Sequence, residues 1–389
     1  MFSAFKYRIF PSEPQKELIA KHIGSSRFVY NLALETKNAA YIGSKHNYSA
    51  FDLDKQLPEL KKELPWLKEV NSQSLQQSIH NMDIAFKKFF KGAGFPKFKS
   101  KRDRQSFSIP QNVIVENDLL IIPKFKEGIK IKLHRPTKGT IKSATISVTP
   151  TGKYFVSILC ETGEAIKPKA KVKEKTTVGI DLGIKTYLVS SDGQEFDNPK
   201  FLRKAQIRLK YVQRKYSKHK GKRTKQRLAI LHEKVTNQRK DFLHKTSSEL
   251  IKNHDSLAIE DLAVSNMVKN HNLAQAISDA SWSTFVTMLE YKAEWYGKNI
   301  LKIGRFEPSS KLHANCGYIN KDLKLSDREW FCPKCGELVS RDVNAAINIK
   351  SFALKKILSG TDRKNQGKLS TMVEVMTLEA QPIAFGVGA

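Results

Sequence analysis

Four residues suited to binding a metal ion lie within 23 positions of one another in this 389-residue chain. Cys332 and Cys335 have the spacing of a zinc knuckle, and Cys316 precedes them by fifteen intervening residues. His313 stands three positions before Cys316, where a second knuckle needs its first ligand, and imidazole is an ordinary zinc ligand. We therefore predict a zinc ribbon held by His313, Cys316, Cys332 and Cys335. The alternative is a degenerate ribbon that folds without metal.

The composition predicts a polyanionic partner. Lys and Arg number 68 against 38 Asp and Glu, which gives a net charge of +30 and a pI near 9.8. Nucleic acid is the first candidate, and a merely basic protein or one attracted to anionic lipid is the alternative. No apolar run approaches the roughly 20 residues that cross a bilayer, and the N-terminus lacks the apolar core of a secretion signal. We expect a cytosolic protein, and the fourth cysteine, Cys160, is expected in a core.

Two kinds of periodicity divide the first half of the chain. The opening FKYRIF alternates like a strand, and Ser12 with Gln15 forms the pattern of a capping box that begins a helix. Apolar residues at spacings of three and four predict a later helix with a buried stripe, comprising Leu75, Ile79, Met82, Phe86 and Phe89. After a basic loop, runs such as IKIKLHR and KYFVSILCE predict a small antiparallel barrel or sheet. A helical unit over residues 12–92 therefore follows a single strand and precedes the sheet.

The second half is predicted as a mixed α/β segment. From about Thr176 to Leu354 the pattern is strand, hairpin, long helix, strand and helix, and the long helix breaks near Gly221. The sequence contains no Walker-type or dinucleotide-binding glycine loop, so an ATP-driven or hydride-transfer enzyme has no support. The segment 359–389 has no sustained period and is predicted to be mobile.

Several basic and polar side chains are candidate contacts to nucleic acid. They are Lys97, Lys99 and Lys101 in the basic loop, and Arg214, Lys215, Arg223 and Arg239 in the long helical region. Such dense positive charge repels itself unless phosphates neutralise it, although a solvated helix face is the plainer interpretation. The amides of Gln73, Gln76 and Gln77 are candidates for reading DNA, because amide side chains pair with adenine in the major groove.

Three carboxylates occupy positions that favour metal binding. Asp181 ends the apolar strand TTVGID, Glu260 ends SLAIE, and Asp342 lies in the first turn of a helix. Buried strands that place acids at their tips are costly unless the acids are paired or bind a cation. Mg²⁺ or Mn²⁺ prefers carboxylate oxygen, and two such ions support phosphodiester hydrolysis. Alone, each acid has a plainer interpretation: a turn for Asp181, a lysine partner for Glu260, a helix cap for Asp342.

Segments along most of the chain carry a family resemblance. They include FKYRIFPSEPQ, SSRFVYNLAL, GFPKFKSK, GIDLGIK, HEKVTNQRKDFLHK, IEDLAVSNM, PSSKLHANCG, SDREWFCPKCG and RDVNAAINI. Together they resemble the TnpB (OrfB) family, transposon-encoded RNA-guided endonucleases that were formerly named transposases and are related to type V CRISPR effectors. Two positions depart from the family pattern: His313 replaces the usual first cysteine of the ribbon, and Ser340 replaces the first acid of Asp-Arg-Asp.

The resemblance implies an architecture. A wedge β-barrel would comprise residues 1–11 and 93–172, with residues 12–92 as an inserted helical recognition unit. A RuvC-like nuclease domain of the RNase H fold would comprise residues 173–304 and 341–358, with the zinc ribbon at 305–340 inserted in it.

The resemblance also implies an activity. Asp181, Glu260 and Asp342 would form the catalytic triad of a Mg²⁺- or Mn²⁺-dependent endonuclease. A guide RNA derived from the transposon end would direct cleavage of double-stranded DNA next to a transposon-adjacent motif. Two other functions stay open: an RNA-guided repressor that binds DNA without cutting, and an accessory protein in transposition.

Overall fold

A computed structural model describes residues 1–324 and 326–359. The segment 360–389, which includes all of the predicted mobile tail except Ser359, lies outside the described residues. The chain divides into two compact units, the first comprising residues 1–165 and the second beginning at Ile166. The fold is mixed α/β with several sheets, as the sequence predicts. Among the described residues, every helix is too short or too polar to cross a membrane.

The first unit is built on a seven-stranded antiparallel sheet. Its strands are β1 (Phe2–Phe10), β2 (Gln105–Ile109), β3 (Ile114–Glu116), β4 (Leu119–Ile122), β5 (Phe125–Lys132), β6 (Thr140–Val148) and β7 (Tyr154–Glu161). The order is β2-β6-β7-β1-β5-β4-β3, so the first strand of the chain lies at the centre of the sheet. Phe5, Tyr7 and Ile9 alternate with exposed residues and point into the core, where Cys160 is also buried.

Three helices and a 3-10 turn separate β1 from the rest of this sheet. They are α1 (Glu13–Ser44), α2 (Ala50–Glu63), the 3-10 turn Pro65–Lys68 and α3 (Ser72–Phe89). The predicted capping box begins α1: the side chain of Gln15 accepts a hydrogen bond from the N–H of Ser12 at 3.0 Å. The predicted stripe on α3 packs against α1 and α2, with Phe89 only partly buried.

The second unit contains a five-stranded mixed sheet. Its strands are β8 (Thr177–Leu182), β9 (Thr186–Ser190), β10 (Glu195–Asp197), β11 (Ser256–Glu260) and β12 (Asn299–Ile303). Their order is β10-β9-β8-β11-β12, in which β8, β11 and β12 are parallel and β9 and β10 complete an antiparallel hairpin. Strand β12 was not predicted, and neither was β2 of the first unit.

Helices cover both faces of this sheet. They are α4 (Phe201–His219), α5 (Lys222–Asn253), α6 (Val264–Met267), α7 (His271–Ala280), α8 (Trp282–Tyr296) and α9 (Arg341–Leu358). Val178, Ile180 and Leu257 share a core with α5, α7 and α8 on one face. Ala258 packs with Ile349 of α9 on the opposite face, in keeping with the alternation of a strand. Two short strands, β13 (Glu329–Phe331) and β14 (Leu338–Ser340), form a separate hairpin immediately before α9.

Candidate carboxylate centre and Cys/His cluster

Asp181 and Glu260 lie side by side at the ends of neighbouring parallel strands. Ile180 of β8 is paired with Ile259 of β11, so the acid that follows each isoleucine sits at the same level. Both acids point to the face that α9 covers, because each lies two residues beyond a residue that packs on that helix. The sheet therefore delivers two carboxylates to one point on its edge.

Helix α9 brings the third carboxylate to the same point. A Cβ atom built on Gly179 would lie 1.9 Å from the carbonyl oxygen of Ala346, so only glycine allows this close contact of helix and strand. Asp342 precedes Ala346 by four helical residues, about 6 Å, and Asp181 follows Gly179 by two strand residues, about 6.6 Å. The contact at Gly179 thus brings Asp342 within electrostatic range of Asp181.

The electrostatics agree with this convergence. The pKa of Asp181 is raised to about 7, first because burial penalises its charge and then because Glu260 and Asp342 repel it. Burial also raises the pKa of Glu260, against a hydrogen bond that the hydroxyl of Ser309 donates to Glu260 Oε1 at 2.8 Å. Burial and two nearby carboxylates disfavour the charged form of Asp181, which a bound cation would stabilise.

An arginine lies against the third acid. Arg328, just before β13, places its guanidinium Nη1 2.9 Å from Asp342 Oδ2 and 3.2 Å from Oδ1. Its charge, with that of Arg341, partly offsets the repulsion felt by Asp181. Ser309 and Arg328 were not among the predicted site residues. Both lie within segments that carry the family resemblance, PSSK and SDREW, and that was the available signal.

The donor set of this carboxylate centre fits hard divalent cations. Carboxylate oxygens from two strand ends and one helix are the ligands that Mg²⁺ and Mn²⁺ prefer. The raised pKa of Asp181 adds a physical reason, since a bound cation would replace the proton that this group otherwise retains near neutral pH.

The four predicted zinc ligands form a second cluster, which we call the Cys/His cluster. One ligand atom from each of the four lies within 4.8 Å of all the others. The Nδ1 atom of His313 is 3.1 Å from the sulfur of Cys316 and 3.5 Å from that of Cys335. The sulfurs of Cys316 and Cys332 are 3.4 Å apart, far beyond a disulfide bond and near the edge of a zinc tetrahedron with about 2.3 Å bonds.

The two halves of the Cys/His cluster have the same backbone turn. Gly317 donates its N–H to the carbonyl of His313 at 2.9 Å, and Gly336 donates to Cys332 at 2.8 Å. Both glycines have positive φ, 72° and 71°, which a side chain would disfavour. His313 therefore occupies the position in its knuckle that Cys332 occupies in the other. The residues present fit a tetrahedral metal ion.

The predicted nucleic-acid contacts differ in exposure and in whether they have a partner within the fold. Most of the basic candidates are exposed: Lys97, Lys99, Lys101, Arg214, Lys215 and Arg223.

Two of the basic candidates, Arg239 and the exposed Lys99, have partners within the fold. Arg239 is paired with Asp279 at 2.8 Å, and the Nζ of Lys99 lies 3.6 Å above the ring of Tyr30. We therefore propose nucleic-acid contact first for Lys97, Lys101, Arg214, Lys215 and Arg223, and only second for Lys99 and Arg239.

The glutamines of α3 are unevenly placed. Gln76 is exposed, whereas Gln73 is half-buried and the half-buried Gln77 donates to the side chain of Asn81 at 3.2 Å.

Comparison with known proteins identifies the family. The profile of a family described as "Probable transposase" matches residues 157–271, and "Cas12f1-like, TNB domain" matches residues 282–349. A protein of Streptomyces pristinaespiralis is 38% identical over 379 residues, which cover 94% of this chain and 93% of that protein. The chain belongs to the TnpB (OrfB) family. An Escherichia coli relative is 31% identical and covers 89% of this chain and 91% of its own length. The names of both relatives contain "Putative RNA-guided DNA endonuclease".

A solved structure supports the fold of this TnpB-family chain. It matches the protein of a "Cas12f1-sgRNA-target DNA complex" with a TM-score of 0.56 at 14% identity, covering 90% of this chain and 98% of that one. A further profile, described as "Helix-turn-helix domain", matches residues 1–45. In this chain those residues form β1 and the single continuous helix α1, so the description does not apply to the fold here.

Proposed function

We propose that this chain is an RNA-guided, divalent-metal-dependent DNA endonuclease of an insertion-sequence transposon. It would cleave double-stranded DNA next to a transposon-adjacent motif. The observation that carries the proposal is the convergence of Asp181, Glu260 and Asp342 at one edge of the second sheet. The names of the relatives, which cover nearly the whole chain, supply the RNA-guided part.

We interpret the second unit as a RuvC-like nuclease domain of the RNase H fold. The sheet order, with a hairpin on one side of β8 and parallel strands on the other, supports this interpretation, as does the helix that packs across β8. The residues between β12 and α9 would be the inserted ribbon. In the first unit, the sheet of β1 to β7 would be the wedge barrel and residues 12–92 the recognition unit.

Each of the three acids would have its own role in binding cations at the carboxylate centre. Bound Mg²⁺ or Mn²⁺ would neutralise the scissile phosphate, activate water and stabilise the leaving oxygen. Both other acids act on the charge of Asp181, which supports assigning it as the ligand that the cations would share. Glu260, oriented by Ser309, and Asp342, flanked by Arg328, would complete the two sides. In the metal-free chain Asp181 holds a proton up to about pH 7.

Zinc is the metal we propose for the Cys/His cluster. Three thiolates and one imidazole are soft or borderline ligands, which favours Zn²⁺ over the Mg²⁺ of the carboxylate centre. All four positions are filled by protein, so the site would be structural, without an open position for a substrate.

The partners we propose are a guide RNA derived from the transposon end and a double-stranded target. The net charge of +30 supports contact with both polyanions. Lys97, Lys101, Arg214, Lys215 and Arg223 would contact phosphates, and Gln76, with Gln73 and Gln77 beside it, would read bases near the target.

The test begins with the RNA that co-purifies with the full-length protein. We expect sequencing to return a discrete RNA that ends in transposon-flanking sequence. The complex should then cleave matching double-stranded DNA in Mg²⁺ and not in a chelator. Tight target binding without product would favour the repressor instead, and strand-transfer products would favour a role in transposition. Either result would overturn the proposal.

A further inference from the structure

A short segment joins the two candidate metal sites of the second unit. Residues 309–314 begin at Ser309, which touches the carboxylate centre, and contain His313, which belongs to the Cys/His cluster. Four of the side chains concerned are buried: Ser309 is 6% exposed, His313 2%, Asn344 4% and Asn348 2%. Contacts between buried groups hold their geometry because water cannot replace them.

At one end of the segment, Ser309 orients Glu260. Its hydroxyl donates to Glu260 Oε1 at 2.8 Å, which leaves the other carboxylate oxygen of Glu260 for a cation. Its carbonyl accepts a hydrogen bond from Asn348 Nδ2 at 2.8 Å. Helix α9 thus positions Ser309, and Ser309 in turn positions Glu260.

At the other end, the same helix holds the backbone on both sides of His313. Asn344 Nδ2 donates to the carbonyl of Leu312 at 2.7 Å, and Asn344 Oδ1 accepts from the N–H of Ala314 at 2.9 Å. Asn348 Nδ2 also donates to the carbonyl of Leu312. Asn344 and Asn348 are one turn apart on α9, the helix that carries Asp342 in its first turn.

We propose that Ser309, Asn344 and Asn348 form a polar bridge through which metal in the Cys/His cluster sets the affinity of the carboxylate centre for divalent cations. A bound metal fixes His313, which fixes the backbone of residues 312–314 against Asn344 and Asn348. Asn348 in turn fixes Ser309, and Ser309 fixes Glu260. Ser309 is a positioning residue, since it acts through Glu260. The proposal rests on the proposed function, because it deepens the role of the same carboxylate centre.

The coupling is reciprocal. If zinc in the Cys/His cluster tightens binding of Mn²⁺ at the carboxylates, Mn²⁺ must tighten binding of zinc by the same factor. Hydrogen bonds to a metal's ligands typically change its affinity by about 10- to 100-fold when removed. This range is the effect expected from breaking the bridge.

The experiment measures Mn²⁺ affinity of the full-length, zinc-loaded protein by the electron paramagnetic resonance of free Mn²⁺. Ser309→Ala should weaken Mn²⁺ binding about tenfold while one zinc is retained. Ser310→Ala is the matched control, because the described structure gives this neighbouring serine no role in the bridge, and it should leave the affinity unchanged.

The bridge itself is tested by combining substitutions. Cys335→Ser, which removes a zinc ligand, should also weaken Mn²⁺ binding, and the double variant with Ser309→Ala should fall at most about twofold below the weaker single variant. Losses that multiply, or a Cys335→Ser protein that binds Mn²⁺ normally, would overturn the bridge.

A second readout covers the case in which Cys335→Ser fails to fold. Mn²⁺ should raise the zinc affinity of the unmodified protein and should not raise that of Ser309→Ala. Equal effects of Mn²⁺ on both would overturn the proposal. Asp181→Asn distinguishes failure of the bridge from failure of the proposed function. If this variant still binds Mn²⁺, the carboxylate centre is contradicted, and the proposed function with it. If it loses Mn²⁺ but zinc and Mn²⁺ do not affect each other's affinity in the unmodified protein, only the bridge is contradicted.

Discussion

The carboxylate centre and the Cys/His cluster lie in the same unit of the chain but are built in opposite ways. The first gathers acids from residues 181, 260 and 342, which only the finished sheet and α9 bring together. The second uses residues within one stretch of 23, and each half is shaped by its own glycine turn. One site therefore depends on the completed fold, whereas the other stabilises the fold locally.

The two sites also differ in how they tolerate the absence of metal. Burial, Glu260 and Asp342 disfavour the charged form of Asp181, and Arg341 and Arg328 offset only part of this effect. The turns of the Cys/His cluster form their backbone hydrogen bonds without an ion. Strain at the carboxylate centre suits catalysis, whereas a closed, relaxed site suits structure.

The largest expected effect separates the sites by function. Asp181→Asn keeps the shape of the side chain and removes the charge that would hold both cations. We expect cleavage to fall by at least about a thousandfold while RNA binding, target binding and zinc content stay unchanged. Single-turnover cleavage and metal analysis measure this. Asp197→Asn, at an exposed position on β10, is the control and should cleave normally. Near-normal cleavage by Asp181→Asn would remove the basis for assigning catalysis to this centre.

The second effect concerns stability through the Cys/His cluster. His313→Ala removes one ligand, and since structural zinc contributes several kcal/mol, the Tm of the second unit should fall by roughly 10 °C. His313→Cys converts the site to four thiolates in the same turn and should keep zinc and Tm. Zinc titration against a competing chelator and thermal unfolding check both. If His313→Cys loses zinc as His313→Ala does, the two knuckles are not equivalent.

A third, smaller effect uses pH to measure the strain at the carboxylates. Because the pKa of Asp181 is raised from 3.8 to about 7 in the fold, the folded chain keeps a proton that the unfolded chain releases. The free energy of unfolding of the metal-free protein should therefore fall by about 2 kcal/mol as pH rises from 5 to 7. It should change little above pH 7.

Urea unfolding of the zinc-loaded protein at several pH values, in buffer without Mg²⁺ or Mn²⁺, measures this effect. Asp181→Asn should lack this slope, and adding Mg²⁺ should restore stability more at pH 8 than at pH 5. The same slope in both proteins would place its origin in another group.

The contrast between the sites explains what the sequence could predict. Local patterns were sufficient for β1, the start of α1 and the buried stripe of α3, because alternation, a capping box and helical spacing are read over a few residues. Strands β2 and β12 were missed because each is a short pattern directly after a segment of different character. Gln105–Ile109 follows a strongly basic loop, and Asn299–Ile303 follows a helix after a single turn.

Side chains whose partners are distant in sequence were the hardest to interpret. The acids were recognisable at strand and helix ends, but Ser309 and Arg328 acquire their roles only when the fold places them against Glu260 and Asp342. A count of charges likewise made Arg239 a candidate for phosphate contact. Its partner Asp279 is forty residues away and belongs to another helix.

The smallest expected effect tests whether the exposed cations differ from that engaged arginine. Arg214→Ala, Lys215→Ala or Arg223→Ala should each weaken nucleic-acid binding equally for all sequences, and should reduce the slope of log affinity against log salt by about 0.9 per lost phosphate contact.

Arg239→Ala should leave that slope nearly unchanged. It should lower Tm instead, because Asp279, which also accepts the N–H of Leu202 at the start of α4, would be left without its cation. Salt titrations of binding, paired with thermal unfolding of each variant, distinguish the two behaviours. An unchanged slope in all three exposed variants would mean that the charge of α4 and α5 is solvated, and a reduced slope in Arg239→Ala would return that residue to the nucleic-acid surface.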